Sequence, residues 1–235
     1  MFMPYYVFDP TYGLVIIGLL ISLAASSYVK STYNKYSKVS SKKGHTASEV
    51  SSMLLRDAGI KDVGVQKISG DLTDNYNSHT KILSLSETVS DSTSVAAIGV
   101  AAHECGHAIQ DQKKYTPLKL RSVMVPVVNF SAQISIPLII IGSIFFSSMP
   151  FLVYIGIICF ALTFLFQVVT LPVEFNASRR ALAVLSDNHL LDDDELVMAR
   201  KVLTAAALTY VAATIASLLQ LLRLILIFGN QNRRN

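Results

Sequence analysis

Val123–Glu174 reads VMVPVVNFSAQISIPLIIIGSIFFSSMPFLVYIGIICFALTFLFQVVTLPVE, and no charged side chain occurs in it before Glu174. A helix needs about 20 consecutive apolar residues to cross the hydrocarbon core of a bilayer. Two runs reach that length, Val123–Phe146 and Met149–Val173, and they are joined through Ser147-Ser148-Met149-Pro150. The stretch therefore predicts a membrane-spanning helical hairpin, with Pro126 and Pro137 kinking its first arm in a way that neighbouring helices tolerate. Two spans return the chain to the side it left. Glu174 and the residues after it are thus expected in the same compartment as the residues before Val123.

The flanking sequence extends this pattern. Tyr12–Val29 is a third uncharged run and Val202–Phe228, which carries Arg223, is a fourth. Of the 235 residues 51% are hydrophobic and only 15% charged, against about a quarter charged in soluble domains, so a bilayer is the expected solvent. Nothing basic precedes the first run and it exceeds a signal peptide's apolar core of about 7 to 15 residues, so it reads as a retained anchor. The formal net charge of +4 is concentrated in Lys30, Lys35, Lys38, Lys42 and Lys43, just after that run. By the positive-inside rule the N-terminus is then outside and the following segment cytoplasmic. Lysines beside a span face anionic lipid, so no nucleic-acid partner is expected. Cys105 and Cys159 are too few for a disulfide framework. The lone Arg223 does not make the ion pathway expected of a transporter.

The residues divide into an anchor (1–29), a polar region (30–121), the hairpin (122–173), a second polar segment (174–201), a final transmembrane or membrane-packed helix (202–228) and a polar tail (229–235). In the first polar region, Val50, Met53 and Leu54 follow a helical period that ends near Gly59. Val63, Val65 and Ile68 suggest a short strand, and His79–Ser86 a second one after turn-rich residues. A helix is expected from Ser92 onward, N-capped by Ser94, and its run Val95–Ala102 is apolar nearly all round, so it should be buried.

That helix carries His103-Glu104-Cys105-Gly106-His107. Residues four apart lie on one helix face about a turn from each other, so both imidazoles can converge on one ion. Glu104 is turned by about 100° from His103, which lets its carboxylate act on water as general base instead of binding the metal. Zinc suits imidazole and carboxylate donors, and a catalytic zinc site uses three protein ligands with one position open. Without a metal, three ionisable groups in an apolar helix would cost several kcal/mol to bury. The third ligand must come from elsewhere: His45, His79, His189, Asp187, the acidic run Asp192–Glu195 and Glu174 are available. Glu174 is the best placed, since it follows Pro172 at the mouth of a span and opens a helical segment. Its other reading is a carboxylate that merely complements a helix N-terminus. Asp192–Glu195 reads better as a capped, solvated helix start.

Val100–Gln110 (VAAHECGHAIQ) and Leu171–Ala181 (LPVEFNASRRA), together with Asp74–Ser86 and Ala205–Tyr210, resemble the bacterial YugP-type neutral zinc metallopeptidases. These are a gluzincin-like group similar in layout to the HtpX and CAAX prenyl protease membrane peptidases. The resemblance implies a mainly α integral-membrane protein of about four transmembrane helices with a small α+β zincin-like metallopeptidase domain. It implies Glu174 as the third ligand to one Zn2+ per chain, beside His103 and His107, with Glu104 catalytic. In those relatives an aspartate stands four residues after the glutamate and supports a histidine ligand; here that position is Ser178, and Asn176 is a candidate substitute.

The expected function is membrane-bound, zinc-dependent endopeptidase activity on peptide or protein substrates, in a multi-pass cell-membrane protein with its active site on the cytoplasmic side. Arg179, Arg180, His189 or Tyr210 could supply an oxyanion donor. By analogy with zincins, Ile82, Leu83, Ser84 and Leu85 form an edge strand onto which an extended peptide could add. The rival reading is a catalytically inactive zinc-binding membrane scaffold. It differs in predicting that Glu104 can be replaced without loss.

Overall fold

The computed structural model describes residues 9–229; the outermost residues of the expected anchor and tail, 1–8 and 230–235, lie outside them. The elements are α1 (Tyr12–Tyr36), α2 (Ala47–Asp57), β1 (Gly64–Ile68), β2 (Asn75–Asn77), β3 (Ile82–Ser86), α3 (Glu87–Ser90), α4 (Val95–Gln112), α5 (Thr116–Ile144), α6 (Phe151–Asp187) and α7 (Asp193–Gly229). Among the described residues the protein is mainly α, with four helices long and apolar enough to cross a membrane, namely α1, α5, α6 and α7, and one small sheet. The chain forms two units. A membrane unit comprises residues up to Ala25, Leu120–Thr170 and Thr209 onward, and a polar unit comprises Ser26–Lys119 and Leu171–Leu208.

In the membrane unit large apolar side chains point outward, among them Ile16, Phe130, Ile144 and Ile158, as lipid-facing surfaces require. Between helices, small residues allow close approach beside an apolar cluster of Ile139, Val153, Leu224 and Phe228. A Cβ added to Gly156 would meet the Ser135 carbonyl at 2.9 Å, one added to Gly142 would meet the Val153 nitrogen at 2.7 Å, and one added to Gly18 would meet Ala216 Cα at 3.1 Å. Buried hydroxyls complete the packing: Ser135 donates to the Gly156 carbonyl and Ser217 to Gln167 Oε1. Lipid offers no hydrophobic drive between helices, so close backbone approach and hydrogen bonds hold them together. Pro126 and Pro137 lie inside α5, which runs through both. The Arg223 guanidinium lies over the Tyr12 ring at 4.3 Å.

The polar unit is built around α4. Ser94 caps the helix by accepting from the Ala97 N–H, and Val95, Ala96, Ala97, Ile98, Ala101, Ala102 and Cys105 have no exposed surface. Leu54 of α2, Leu83 and Leu85 of β3, Leu185 of α6 and Leu203 of α7 join the same core. Helix α2 begins at Ala47, because Thr46 and Glu49 form a reciprocal capping box just before it. Gly59 takes φ +70° just past its C-cap.

The sheet has the order β1-β3-β2, with β1 parallel and β2 antiparallel to β3. This corrects the expectation of an edge strand at Ile82–Leu85. β3 is central: Ile82, Leu83 and Ser84 pair with Gly64, Val65 and Gln66 on one side and with Asn77, Tyr76 and Asn75 on the other. The edges are β1 and β2. The β2–β3 connection is an Asx turn in which Asn77 Oδ1 accepts from the His79 and Thr80 N–H groups. Tyr76 and Lys81 both donate to Asp111 on α4, fastening β2 and its turn to the helix.

Candidate metal centre

The backbone periodicity of α4 places His103 and His107 one turn apart, and their rings meet edge to face with centroids 4.7 Å apart. Helix α6 brings Glu174 against them from 71 residues away in sequence: Glu174 Oε2 lies 3.2 Å from His103 Nε2 and 3.7 Å from His107 Nε2. One donor atom from each of the three residues lies within 4.8 Å of the others. The approach of the two helices depends on Gly106, whose position facing the Ala177 carbonyl has no room for a side chain. Glu174 is 2% exposed and His107 7%; Glu104 is buried too and stands outside the three-residue cluster.

The ring nitrogens turned away from the cluster are occupied. His103 Nδ1 is 3.1 Å from Ser178 Oγ and His107 Nδ1 is 3.0 Å from Gln110 Oε1. Gln110, wholly buried, donates in turn to the Val173 carbonyl and to Asn176 Oδ1, and Asn176 Oδ1 also accepts from Arg180 Nε. Burial works against charge on His107, but the nearby Glu174 and Glu104 carboxylates and the contact with Gln110 outweigh it, so its pKa is raised above the ordinary imidazole value. The pocket therefore favours positive charge. Cys105 is no competing ligand, since burial pushes its thiol up to about 12 and its Sγ faces the Ser51 carbonyl.

These residues fit a zinc ion. Nitrogen and oxygen ligands about 2.0–2.2 Å from a tetrahedral centre lie roughly 3.3–3.6 Å from one another. The 3.2 Å and 3.7 Å spacings bracket that edge length. Both Nε2 atoms face the shared carboxylate while the Nδ1 atoms are held from behind, which is how histidine ligands are oriented for a metal.

The other residues singled out in sequence are distributed as follows. Ser178, at the position of the relatives' aspartate, contacts His103 directly, whereas Asn176 reaches His107 only through Gln110. Arg179 is exposed, about 140° round the helix from Glu174, on a groove of about 670 Å³ that it shares with Phe175, Ser178 and Arg200. His189 is not brought to the cluster. It takes φ 51° in the turn that ends α6, and Asp187, the last helical residue, is already roughly 20 Å along the axis from Glu174. Tyr210 belongs to the membrane unit. Gln110 was not apparent from motif spacing; the available signal was a polar residue about one turn beyond His107 on the same helix.

Ser178→Ala should leave His103 Nδ1 to solvent and lower zinc affinity by about 10-fold, with a stability change within about 1 kcal/mol. Competition with a chromophoric chelator, beside thermal unfolding of the detergent-purified protein, measures both.

Four apolar helices together with a buried His-His-Glu cluster define a multi-pass membrane protein with a candidate metal centre. The model of the family described as "Putative neutral zinc metallopeptidase" matches residues 11–229, and the chain belongs to that family. It is also similar to "Putative membrane protease YugP" of Bacillus subtilis (strain 168), with 43% identity over 222 residues that cover 94% of this chain and 98% of that protein. No solved structure matches it.

Proposed function

We propose that this protein is a membrane-bound, zinc-dependent endopeptidase holding one Zn2+ per chain through His103, His107 and Glu174, with Glu104 as general base. The observation that carries the reading is the convergence of two Nε2 atoms and one carboxylate oxygen in a buried pocket. A zinc ion bound there supplies Lewis acidity, which acidifies water towards pKa 7 and polarises a peptide carbonyl. Glu104 takes the proton of the attacking water and passes it to the leaving amine. Its place one residue after His103, outside the ligand cluster, supports that division of labour. Ser178 and Gln110 orient the ligand imidazoles.

The edge that can accept an extended peptide by backbone pairing is the outer side of β2, which Tyr76 and Asp111 anchor to the metal-binding helix. Such recognition reads backbone shape more than side-chain identity. The lysines that follow the first span orient the polar unit towards the cytoplasm.

The test is cleavage of an unfolded protein such as casein by the zinc-loaded, detergent-purified chain. Glu104→Gln is expected to keep zinc and fold while losing at least about 100-fold in rate, the lower range for general acid–base catalysis. If Glu104→Gln cuts as fast as the wild type, the mechanism is wrong; if the wild type binds zinc through Glu174 and does not cut casein, the metal site stands and its substrate or activation is another.

A further inference from the structure

The hydrogen-bond chain behind His107 runs in one direction. Its polarity is set at two points that admit no choice. Arg180 can only donate, so the Asn176 side-chain atom facing Arg180 Nε at 2.7 Å must be the oxygen. A backbone carbonyl can only accept, so the Gln110 atom 2.8 Å from the Val173 oxygen must be the amide nitrogen. That same nitrogen is 3.0 Å from Asn176 Oδ1, which suits its second hydrogen. The Gln110 side-chain oxygen is then left facing His107 Nδ1 at 3.0 Å, and it can only accept.

We infer that Gln110, polarised by the Val173 carbonyl and the Arg180–Asn176 pair, is a positioning residue that keeps the proton of His107 on Nδ1 and so presents a bare Nε2 to the metal. The inference rests on the proposed metal site and goes beyond it. It also distinguishes the two histidines. The partner of His103 is the Ser178 hydroxyl, which can either donate or accept and imposes no tautomer. Gln110 has a second consequence. Its amide braces Val173 and Asn176, the residues immediately before and two after Glu174, so one buried side chain ties the second histidine ligand to the segment carrying the carboxylate ligand.

The decisive measurement uses the unaltered, metal-free chain, labelled with 15N-histidine and purified in detergent, with His107→Asn to assign the resonance. His107 is expected to carry a proton on Nδ1; a His107 protonated only on Nε2 overturns the inference. Zinc affinity measured by chelator competition provides the second readout. Gln110→Met keeps the volume and removes the acceptor, and should weaken zinc binding by 10- to 100-fold. Asn176→Asp keeps an oxygen for both donors and should bind zinc within about 3-fold of the wild type, whereas Asn176→Leu should lose about 10-fold. A folded Gln110→Met protein that binds zinc as the wild type does, or an Asn176→Asp protein as impaired as Asn176→Leu, overturns it. If Gln110→Met does not fold, the tautomer of the wild type still decides. Neither readout depends on peptide cleavage, so a failure here is distinct from a failure of the peptidase assignment.

Discussion

Glu174→Ala is expected to insert and fold but to lose zinc, with affinity falling by more than the 10- to 100-fold typical of a lost outer partner. The carboxylate is 2% exposed and sits 3.2 Å and 3.7 Å from the two imidazole nitrogens, so as the proposed ligand it would supply a donor atom and, beside Glu104, negative charge to the pocket. Two histidines alone leave a divalent ion short of ligands and uncompensated. The stability consequence follows from linkage. A metal that binds only the folded chain stabilises it by about 4 kcal/mol at a free concentration a thousand times the dissociation constant. Wild-type unfolding should therefore shift upward on zinc addition, and the variant's should not. Metal-free, the variant should also be less stable, because removing one partner of a buried cluster leaves the two imidazoles uncompensated, so the zinc-induced shift within each protein is the quantity compared. Metal analysis after dialysis and thermal unfolding with and without zinc provide the readouts. A Glu174→Ala protein that retains one zinc per chain would show that the carboxylate is not a ligand.

The second large effect is expected at Gly106, which lies between the two histidines and touches no reacting group. A Cβ there would stand 2.5 Å from the Ala177 carbonyl oxygen and 3.2 Å from its Cα, both backbone atoms that cannot rotate away. Gly106→Ala must therefore push α6 from α4. Helix propensity favours alanine by about 1 kcal/mol, while overpacking costs typically 1–3 kcal/mol, so the net change in stability is modest. The metal site is less tolerant. Ala177 lies three residues after Glu174 in the same helix, so the displacement is delivered to the ligand. Zinc affinity should fall at least about 10-fold while far-ultraviolet circular dichroism stays near that of the wild type. Gly99 on the same helix is the control: an added Cβ would meet Ala199 Cβ at 3.5 Å, an ordinary contact. Gly99→Ala should keep its zinc and gain up to about 1 kcal/mol. Equal zinc affinity in Gly106→Ala and the wild type would mean that the close crossing does not set ligand geometry.

Much of this architecture is local in origin and therefore visible in the sequence. Membrane helices need only length and apolarity, which is why Val123–Val173 announces a hairpin without reference to anything else in the chain. The histidine pair is also local, since four residues of α-helix bring His107 under His103 whatever surrounds them. Gly59 past α2 and Ser94 before α4 act within a single turn as well.

Contacts across long sequence separations were decided by the tertiary structure. Whether Ile82–Ser86 lies at an edge or in the middle depends on Asn75-Tyr76-Asn77, a three-residue strand that carries no alternating apolar pattern and exists because β3 offers it a partner. His189 has metal-ligand chemistry, yet it is used to turn the chain at the end of α6. Glu174 could be proposed from its setting, but its approach to the histidines arises where Gly106 lets two helices touch. Likewise Ser178 and Gln110 are ordinary polar residues until packing sets each behind one imidazole. Periodicity determined which residues of one helix share a face; the close packing of α4 against α6 determined which residues of another helix meet them, because side-chain contacts between helices depend on crossing geometry that no local pattern encodes.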